Sequence, residues 1–310
     1  MQTDPLISVV ICVYNGGKYL AQTLESVAQQ TGLGGAGNSS GVEVIMIDDR
    51  STDNSVEIIQ RHVPIFEDKG FSVRCIFHSE NKSIQASYTE GVLAARGKYF
   101  KILDHDDTLA SERALAEPVE FMESMESQGV SVGMVFSKTL YMDEEGQVFG
   151  EKRFPFPFFP YEPRNPLIPA KWGQFVVVAS PLYPFVQGSS VVRKACWHEL
   201  SDWHMQLGGP GLFDVLLTLH AVHSKKWRVA YLRTPSLRYR IHTSSFTQGV
   251  GKRDTWVEIL NAHYEHIYGK GLLLAVVKAW TAFAQSTKSF YHRMKGNKAF
   301  KSIGLFGRRT

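Results

Sequence analysis

The first third of the chain alternates short apolar runs with segments in which apolar residues recur at helical spacing. The apolar runs predict four buried strands, at Ile7–Val13, Val42–Ile47, Val73–Phe77 and Tyr99–Leu103. The spaced segments predict three helices, at Tyr19–Gln30, from about Ser51 to Arg61, and at Ile84–Ala95. Strands that alternate with helices form largely parallel sheets, so the pattern predicts an α/β fold with a doubly wound, mostly parallel sheet.

The remainder of the chain has a less regular pattern. Three further strands are predicted at Val132–Phe136, Val186–Val192 and Leu237–Ile241. One further helix is predicted at Phe213–Val222. Six prolines between Phe154 and Pro169 predict an ordered, irregular loop, and helical spacing returns from about Asp254. We therefore divide the chain into residues 1–115 and 116–250, the two halves of one α/β domain, and residues 251–310, a C-terminal helical extension.

Charge is distributed unevenly along the 310 residues. No acidic residue follows Glu265, whereas nine basic residues lie between Lys270 and Arg309. Because the whole chain has a net charge of +4, the first 265 residues carry a net charge of −5. A nucleic-acid-binding protein would carry positive charge on its folded body, so we expect no nucleic-acid partner. The basic end also has an apolar stripe at helical spacing, which is typical of a helix that lies on an anionic membrane or packs against the domain.

Cysteine usage and the first residues indicate a cytoplasmic protein. Cys12, Cys75 and Cys196 are far apart in the sequence and form no CxxC pair, which suits a reducing compartment. Met1–Pro5 lacks the basic start and apolar core of a secretory signal. No stretch of about 18 apolar residues is free of proline, so a membrane-spanning helix is not expected.

Acidic residues follow two of the predicted strands. Asp48 and Asp49 come at the end of the second strand, and Asp104 and Asp106 follow the fourth with D-x-D spacing. Side chains alternate along a strand, so Asp104 and Asp106 face the same way, at the sheet edge where α/β proteins bind ligands. Two carboxylates in this position suit a hard divalent cation, with nucleotide phosphates completing its coordination shell. The alternative is a solvated acidic turn that caps a helix predicted to begin near Ser111.

Three motifs in this order resemble the family 2 glycosyltransferases of the GT-A fold. They are the strand and turn Ile7–Asn15, the segment Ile47–Asp53, which reads IDDRSTD, and the segment Asp104–Asp107, which reads DHDD. The resemblance covers residues 7–107 and implies a nucleotide-sugar-binding half at 1–115 and an acceptor-binding half at 116–250. It further implies an inverting enzyme that uses a nucleotide-diphosphate sugar of the UDP or dTDP type.

The resemblance also implies roles for individual residues. The nucleotide site would be lined by the end of the first strand and by acidic and amide groups, namely Cys12, Val13, Tyr14, Asn15, Asp48, Asp49 and Asn81. Asp49 would accept a hydrogen bond from the base, and Asp48 would support it. Asp104 would bind the ribose or the metal shell, and Asp106 would be the direct ligand of Mn²⁺ or Mg²⁺.

The chain departs from the family pattern in one segment. The family usually reads N-x-G-x-x-x-A-R-N-x-G where this chain has NKSIQASYTEG, from Asn81 to Gly91. Asn81 and Gly91 match, but Tyr88 stands where an arginine typically approaches the phosphates or the base. Contacts of the donor with this segment are therefore expected to differ from the family pattern.

Inversion at an anomeric carbon needs a base that takes the proton of the acceptor hydroxyl. Most of the family carries this base in an E-D-x-D-like stretch, and the corresponding region here is Gly208–Leu217. Asp214 is the carboxylate of that region, so we predict that it is the base. Asp202 is the next candidate.

A second element of the family, Y-R-x-H, resembles Tyr239–His242. His242 would complete the metal shell or bind a phosphate oxygen. Arg240 would contact the diphosphate or the acceptor. A surface histidine without a ligand is the alternative reading of His242.

These features predict sugar transfer to a hydroxyl of a glycan or of a lipid-linked acceptor, in the assembly of cell-surface polysaccharide or lipopolysaccharide. Transfer to a polyprenyl phosphate, whose anionic oxygen needs no strong base, is one alternative. A non-catalytic nucleotide- or carbohydrate-binding module is another. Residues 270–310 would attach the protein peripherally to the inner face of the plasma membrane.

Overall fold

The first four strands form the parallel part of a single sheet. A computed structural model, which describes residues 4–34, 41–151, 166–168, 187–199, 221, 224 and 226–243, places them at Ile7–Val13 (β1), Val42–Asp48 (β2), Ser72–Phe77 (β3) and Tyr99–Asp104 (β4). β1 lies between β2 and β4, and β3 pairs with β2, all in parallel. β1 and β2 are buried along their whole length, as expected for strands covered on both faces.

The second part of the sheet mixes both strand directions. Its strands are Thr108–Leu109 (β5), Val132–Met142 (β6), Val148–Glu151 (β7), Ser190–Arg193 (β8) and Arg228–Arg240 (β9). β8 joins the two parts because it pairs antiparallel with both β4 and β6. β6 pairs parallel with β9 and antiparallel with β7, and β5 pairs antiparallel with β9. The sheet is therefore mixed rather than mostly parallel, because β5, β7 and β8 run antiparallel to the strands with which they pair.

Helices cover both faces of the sheet. Among the described residues they include Leu20–Ala28 (α1), Ser55–Asp68 (α2), Ile84–Ala94 (α3) and Ala116–Ser127 (α4). Side chains of α1, α2 and α4 share one buried apolar cluster with alternate residues of β1, among them Val9 and Ile11. α3 lies against the opposite face, where a Cβ at Gly91 would lie 2.3 Å from Cγ1 of Val10. The predicted doubly wound α/β fold is thus confirmed.

Two helix boundaries differ from the predicted ones. α2 continues past Arg61 to Asp68 although it contains Pro64, because Phe66 in its last turns is fully buried and stacks on Phe71. The helix predicted to begin near Ser111 starts at Ala116. The preceding residues form a separate turn instead, in which the backbone N–H of Ala114 donates to the carbonyl of Ser111.

Three strands also differ in extent. In the described part of the segment predicted as the strand Val186–Val192, a 3-10 turn, Gln187–Ser189, precedes β8. β6 and β9 are longer than predicted because they pair with each other along almost their whole length. Such pairing depends on a distant partner, which local sequence patterns do not reveal.

Several predicted elements lie outside the described residues. They are most of the helix Phe213–Val222, most of the loop Phe154–Pro169, and the extension 251–310. The division of the chain at residues 115 and 250 stays a prediction. None of the helices in the described part of the chain is both long and apolar enough to cross a membrane.

Candidate functional site

The carboxyl ends of β1, β2 and β4 meet at one edge of the sheet. Val13 of β1 lies opposite Asp48 of β2, and Cys12 lies opposite Asp104 of β4. The side chains of Cys12 and Val13 are buried, so they would line a ligand through their backbone, whereas Tyr14 is 51% exposed. This register brings acidic groups from separate motifs together.

The turn after β1 is held by the loop after β2. Asn15 has a positive φ of 51°, and its Oδ1 accepts a hydrogen bond of 2.8 Å from the backbone N–H of Thr52. Asp48 closes the same loop, since its Oδ2 accepts a bond of 2.9 Å from the backbone N–H of Ser51. Its other oxygen, Oδ1, is buried without a hydrogen-bond partner among the described residues. Asp48 and Asn15 thus shape the loop that precedes α2, and their donor contacts stay predictions.

Asp49 is buried, and its carboxylate is held on one side. Oδ1 accepts hydrogen bonds from the backbone N–H of Lys82 and from Nδ1 of His78, both at 2.8 Å. Nδ2 of Asn81 donates to the backbone oxygen of Asp49 over 3.2 Å. Oδ2 accepts no hydrogen bond from the residues that the structure describes, so this oxygen is the one available to a ligand.

A cluster of three carboxylates follows β4. One oxygen from each of Asp104, Asp106 and Asp107 lies within 4.8 Å of the others. Burial raises the pKa of Asp104, and the charge of Asp106 raises it further. Burial also raises the pKa of Asp107 well above its usual range, again with Asp106 adding to the effect. Carboxylates this close repel one another, and a bound divalent cation would relieve the repulsion.

The donor set of this cluster fits a hard cation such as Mg²⁺ or Mn²⁺, which prefers carboxylate oxygens. Oδ2 of Asp107 is buried and has no hydrogen-bond partner in the described part of the chain, and a cation would satisfy it. Asp107 thus joins the predicted ligands Asp104 and Asp106. Nε2 of His242 lies 2.8 Å from Oδ2 of Asp106, so the histidine contacts a predicted ligand. Direct ligation by His242 stays a prediction.

Tyr88 contacts the acidic cluster. Its hydroxyl donates a hydrogen bond to Oδ1 of Asp104, and its side chain is buried on α3. Burial raises the pKa of Tyr88 well above its usual range, and the charge of Asp104 adds to the effect, so the hydroxyl keeps its proton. The residue that departs from the family pattern therefore supports a carboxylate instead of offering a positive charge.

Arg240, the last residue of β9, holds the acidic loop in place. Its side chain is buried, and Nε donates a hydrogen bond of 2.8 Å to the backbone oxygen of Asp106. Nη2 donates to Oε1 of Gln22 over 2.7 Å, and the guanidinium lies 4.4 Å from the ring centre of Tyr19. The backbone N–H of Arg240 donates to Oδ1 of Asp107 over 2.8 Å. Its predicted contact with the diphosphate or the acceptor stays a prediction.

Two further residues, Lys101 and His78, belong to the site although no sequence motif indicated them. Lys101 is fully buried, and its Nζ donates to the backbone oxygen of Gly188. Burial lowers the pKa of Lys101 to about 7, while the charges of Asp107 and Asp104 oppose this shift. The sequence did carry a signal for Lys101, because a lysine inside the apolar run of β4 is unusual. His78 offered none, because a single histidine after a strand forms no recognisable pattern.

The predicted catalytic base lies outside the described residues. Neither Asp214 nor the second candidate, Asp202, is among the residues that the structure describes. Their roles stay predictions. The described site comprises the held carboxylate of Asp49 and the acidic cluster after β4.

The family model for glycosyl transferase family 2 matches residues 8–164, about half of the chain. The chain therefore belongs to this family. The resemblance inferred from the three sequence motifs is confirmed, since the match covers all three apart from Ile7.

Curated relatives are similar over part of their length. The glycosyltransferase GlyG of Streptococcus pneumoniae serotype 4 is 40% identical over 103 residues, which make up 33% of this chain and 30% of the relative. An uncharacterized glycosyltransferase of Haemophilus influenzae is 36% identical over 118 residues, 38% of this chain and 42% of the relative. The match thus spans less than half the length of these relatives.

Solved structures share the fold. S. aureus TarS in complex with UDP-GlcNAc superimposes with a TM-score of 0.64 at 16% identity, over 90% of this chain and 71% of the TarS chain. The mannosyltransferase PcManGT from Pyrobaculum calidifontis, in complex with GDP-Man and Mn²⁺, has a TM-score of 0.50 at 14% identity, over 97% of this chain and 83% of its own. These likenesses show that the fold is of the GT-A type.

Proposed function

We propose that this glycosyltransferase moves a sugar from a nucleotide-diphosphate donor to an acceptor hydroxyl, with inversion and with a divalent cation. The observation that carries the proposal is the cluster of three carboxylates at the sheet edge that also holds Asp49. Asp49 would receive the base of the donor. The diphosphate would lie over the cluster, where the cation would be held by Asp104, Asp106 and Asp107.

In the proposed reaction the acceptor oxygen attacks the anomeric carbon from the face opposite the leaving group. The bond from this carbon to the diphosphate oxygen breaks, and Asp214 takes the proton of the hydroxyl. Tyr88 and Arg240 keep Asp104 and the loop of Asp106 in position through their hydrogen bonds. When bound, Mn²⁺ or Mg²⁺ supplies positive charge that offsets the charge on the departing diphosphate.

The proposed donor is of the UDP or dTDP type. The imide N–H of uracil or thymine would donate a hydrogen bond to Asp49, whose Oδ2 is available. Support comes from TarS, which was solved with UDP-GlcNAc; PcManGT was solved with GDP-Man, so guanine belongs in any test. The proposed acceptor is a glycan or a lipid-linked glycan of a cell-surface polysaccharide.

A screen of nucleotide sugars tests this function. With Mn²⁺ we expect slow hydrolysis of one UDP- or dTDP-sugar, release of the nucleoside diphosphate, and loss of this activity in EDTA. No hydrolysis and no transfer across the panel would contradict the proposal and favour a non-catalytic binding module. Strong acceleration by a polyprenyl phosphate, and by no hydroxyl acceptor, would favour the other alternative.

We also propose that residues 270–310 attach the enzyme to the cytoplasmic face of a membrane, where a lipid-linked acceptor would be found. The support is the apolar stripe and the nine basic residues, each of which would add about 1 kcal/mol near an anionic surface. Truncation before Lys270 should abolish sedimentation with anionic vesicles, and high salt should weaken it for the intact protein. If the intact protein ignores anionic vesicles at low salt, the segment has another role.

A further inference from the structure

His78 bridges Asp49 to Glu90. The histidine follows β3 directly, and its Nδ1 lies 2.8 Å from Oδ1 of Asp49 while its Nε2 lies 3.0 Å from Oε2 of Glu90. Only 2% of the His78 side chain is exposed, whereas Glu90, on α3, is 38% exposed. An ionised carboxylate only accepts hydrogen bonds, so a ring nitrogen that carries a proton donates it to the carboxylate that it faces.

Glu90 is itself held in place from two directions. Nζ of Lys82 lies 3.2 Å from the same oxygen, Oε2, that faces His78. Burial alone would raise the pKa of Glu90, but the hydrogen bonds from Lys82 and His78 lower it, so the group stays an ionised acceptor. Lys82 therefore contributes to both ends of the bridge, with its side chain at Glu90 and its backbone N–H at Asp49.

The two bonds to Asp49 leave one of its oxygens for a ligand. Oδ1 already accepts from His78 and from the backbone of Lys82, and Oδ2 accepts nothing from the described residues. An oxygen that only accepts suits a base with a ring N–H, such as uracil, thymine or guanine. Cytosine presents an unprotonated ring nitrogen at this position, and two acceptors repel each other.

We propose that His78 is a positioning residue for recognition of the nucleotide base. It holds the carboxylate of Asp49 so that Oδ2 faces the base, and Glu90 keeps the imidazole ring in place. The inference rests on the proposed function, because it requires a nucleotide-diphosphate donor. It adds that discrimination against cytosine depends on a side chain beyond the motifs of the family.

Two substitutions separate the bond to Asp49 from the bond to Glu90. The amide nitrogen of asparagine can take the place of Nδ1, and that of glutamine the place of Nε2. His78→Asn therefore keeps the bond to Asp49, and His78→Gln keeps the bond to Glu90. If His78 only filled space or stabilised the fold, the two variants would behave alike.

The measurement is calorimetric titration of the full chain with UDP, dTDP, GDP and CDP in the presence of Mn²⁺. We expect His78→Asn to bind the preferred nucleotide within about threefold of the wild type. His78→Gln should bind it about tenfold more weakly, as expected for a lost hydrogen bond to a charged group, and should lose most of its preference over CDP. Thermal unfolding of both variants shows whether each is folded.

His62→Gln is the matched control, because His62 is also buried and its Nδ1 bonds to the backbone oxygen of Ile58 within α2. It should leave nucleotide affinity unchanged. Equal affinities of His78→Asn and His78→Gln, with the preference over CDP intact, would overturn the role of His78 alone. A wild-type chain that binds none of the four nucleotides would overturn the proposed function, and this inference with it.

Discussion

Replacing Asp106 with alanine is expected to remove most of the metal-dependent affinity for the donor and to lower turnover by at least about 10²-fold. The carboxylate of Asp106 is 20% exposed, and it lies between Asp104 and Asp107 in the chain, so it can reach a cation that the cluster holds. Loss of this ligand weakens the charge stabilisation at the departing diphosphate. Nucleotide titrations with Mn²⁺ and with EDTA, together with turnover, measure both effects.

Two further variants make the test of Asp106 specific. Asp106→Asn can keep a hydrogen bond to His242 but replaces a charged ligand by a neutral one, so it should lose most of the activity as well. Asp68→Ala removes an exposed carboxylate at the end of α2 and should leave activity unchanged. Full activity of the wild type in EDTA would show that the cluster holds no catalytic cation.

The second large effect is expected at Asp214. Asp214→Asn keeps the shape of the side chain but removes the base, so sugar transfer should fall by about 10²–10⁴-fold. Nucleotide affinity should stay near that of the wild type, because the base acts on the acceptor hydroxyl and not on the donor. Transfer rates and nucleotide dissociation constants, measured on the same preparation, separate the two quantities.

Asp202→Asn is the comparison for Asp214, since it removes the other carboxylate considered for this role. It should change transfer little. If Asp202→Asn abolished transfer while Asp214→Asn did not, the base would be Asp202. Normal transfer by both variants would instead favour an acceptor that is already an anion, such as a polyprenyl phosphate.

The first four strands could be predicted from the sequence almost to the residue. β1 and β2 are buried throughout, so their sequences are continuous apolar runs whose ends are easy to recognise. Asp48 and Asp104 are the last residues of β2 and β4, and the parallel register with β1 brings them to the same edge. A local pattern was sufficient here because each acidic motif marks the end of its own strand.

The second half of the sheet was less predictable. β8 runs antiparallel between β4 and β6, and β6 pairs in parallel with β9, which begins far along the chain at Arg228. No feature of Val132–Met142 indicates which strand lies beside it. The packing of the whole sheet determines such pairings, so the prediction of a mostly parallel sheet extended the pattern of the first half too far.

The α/β fold, the family, and the position of Asp49, Asp104 and Asp106 at the ends of strands could be read from the sequence, because these depend on the periodicity and order of local motifs. The groups that hold these carboxylates in place became visible in the folded chain alone. Tyr88 reaches Asp104 from 16 residues away, and Arg240 reaches the backbone of Asp106 from 134 residues away. A hydrogen bond forms only when packing places donor and acceptor about 3 Å apart, and no spacing along the chain records that distance.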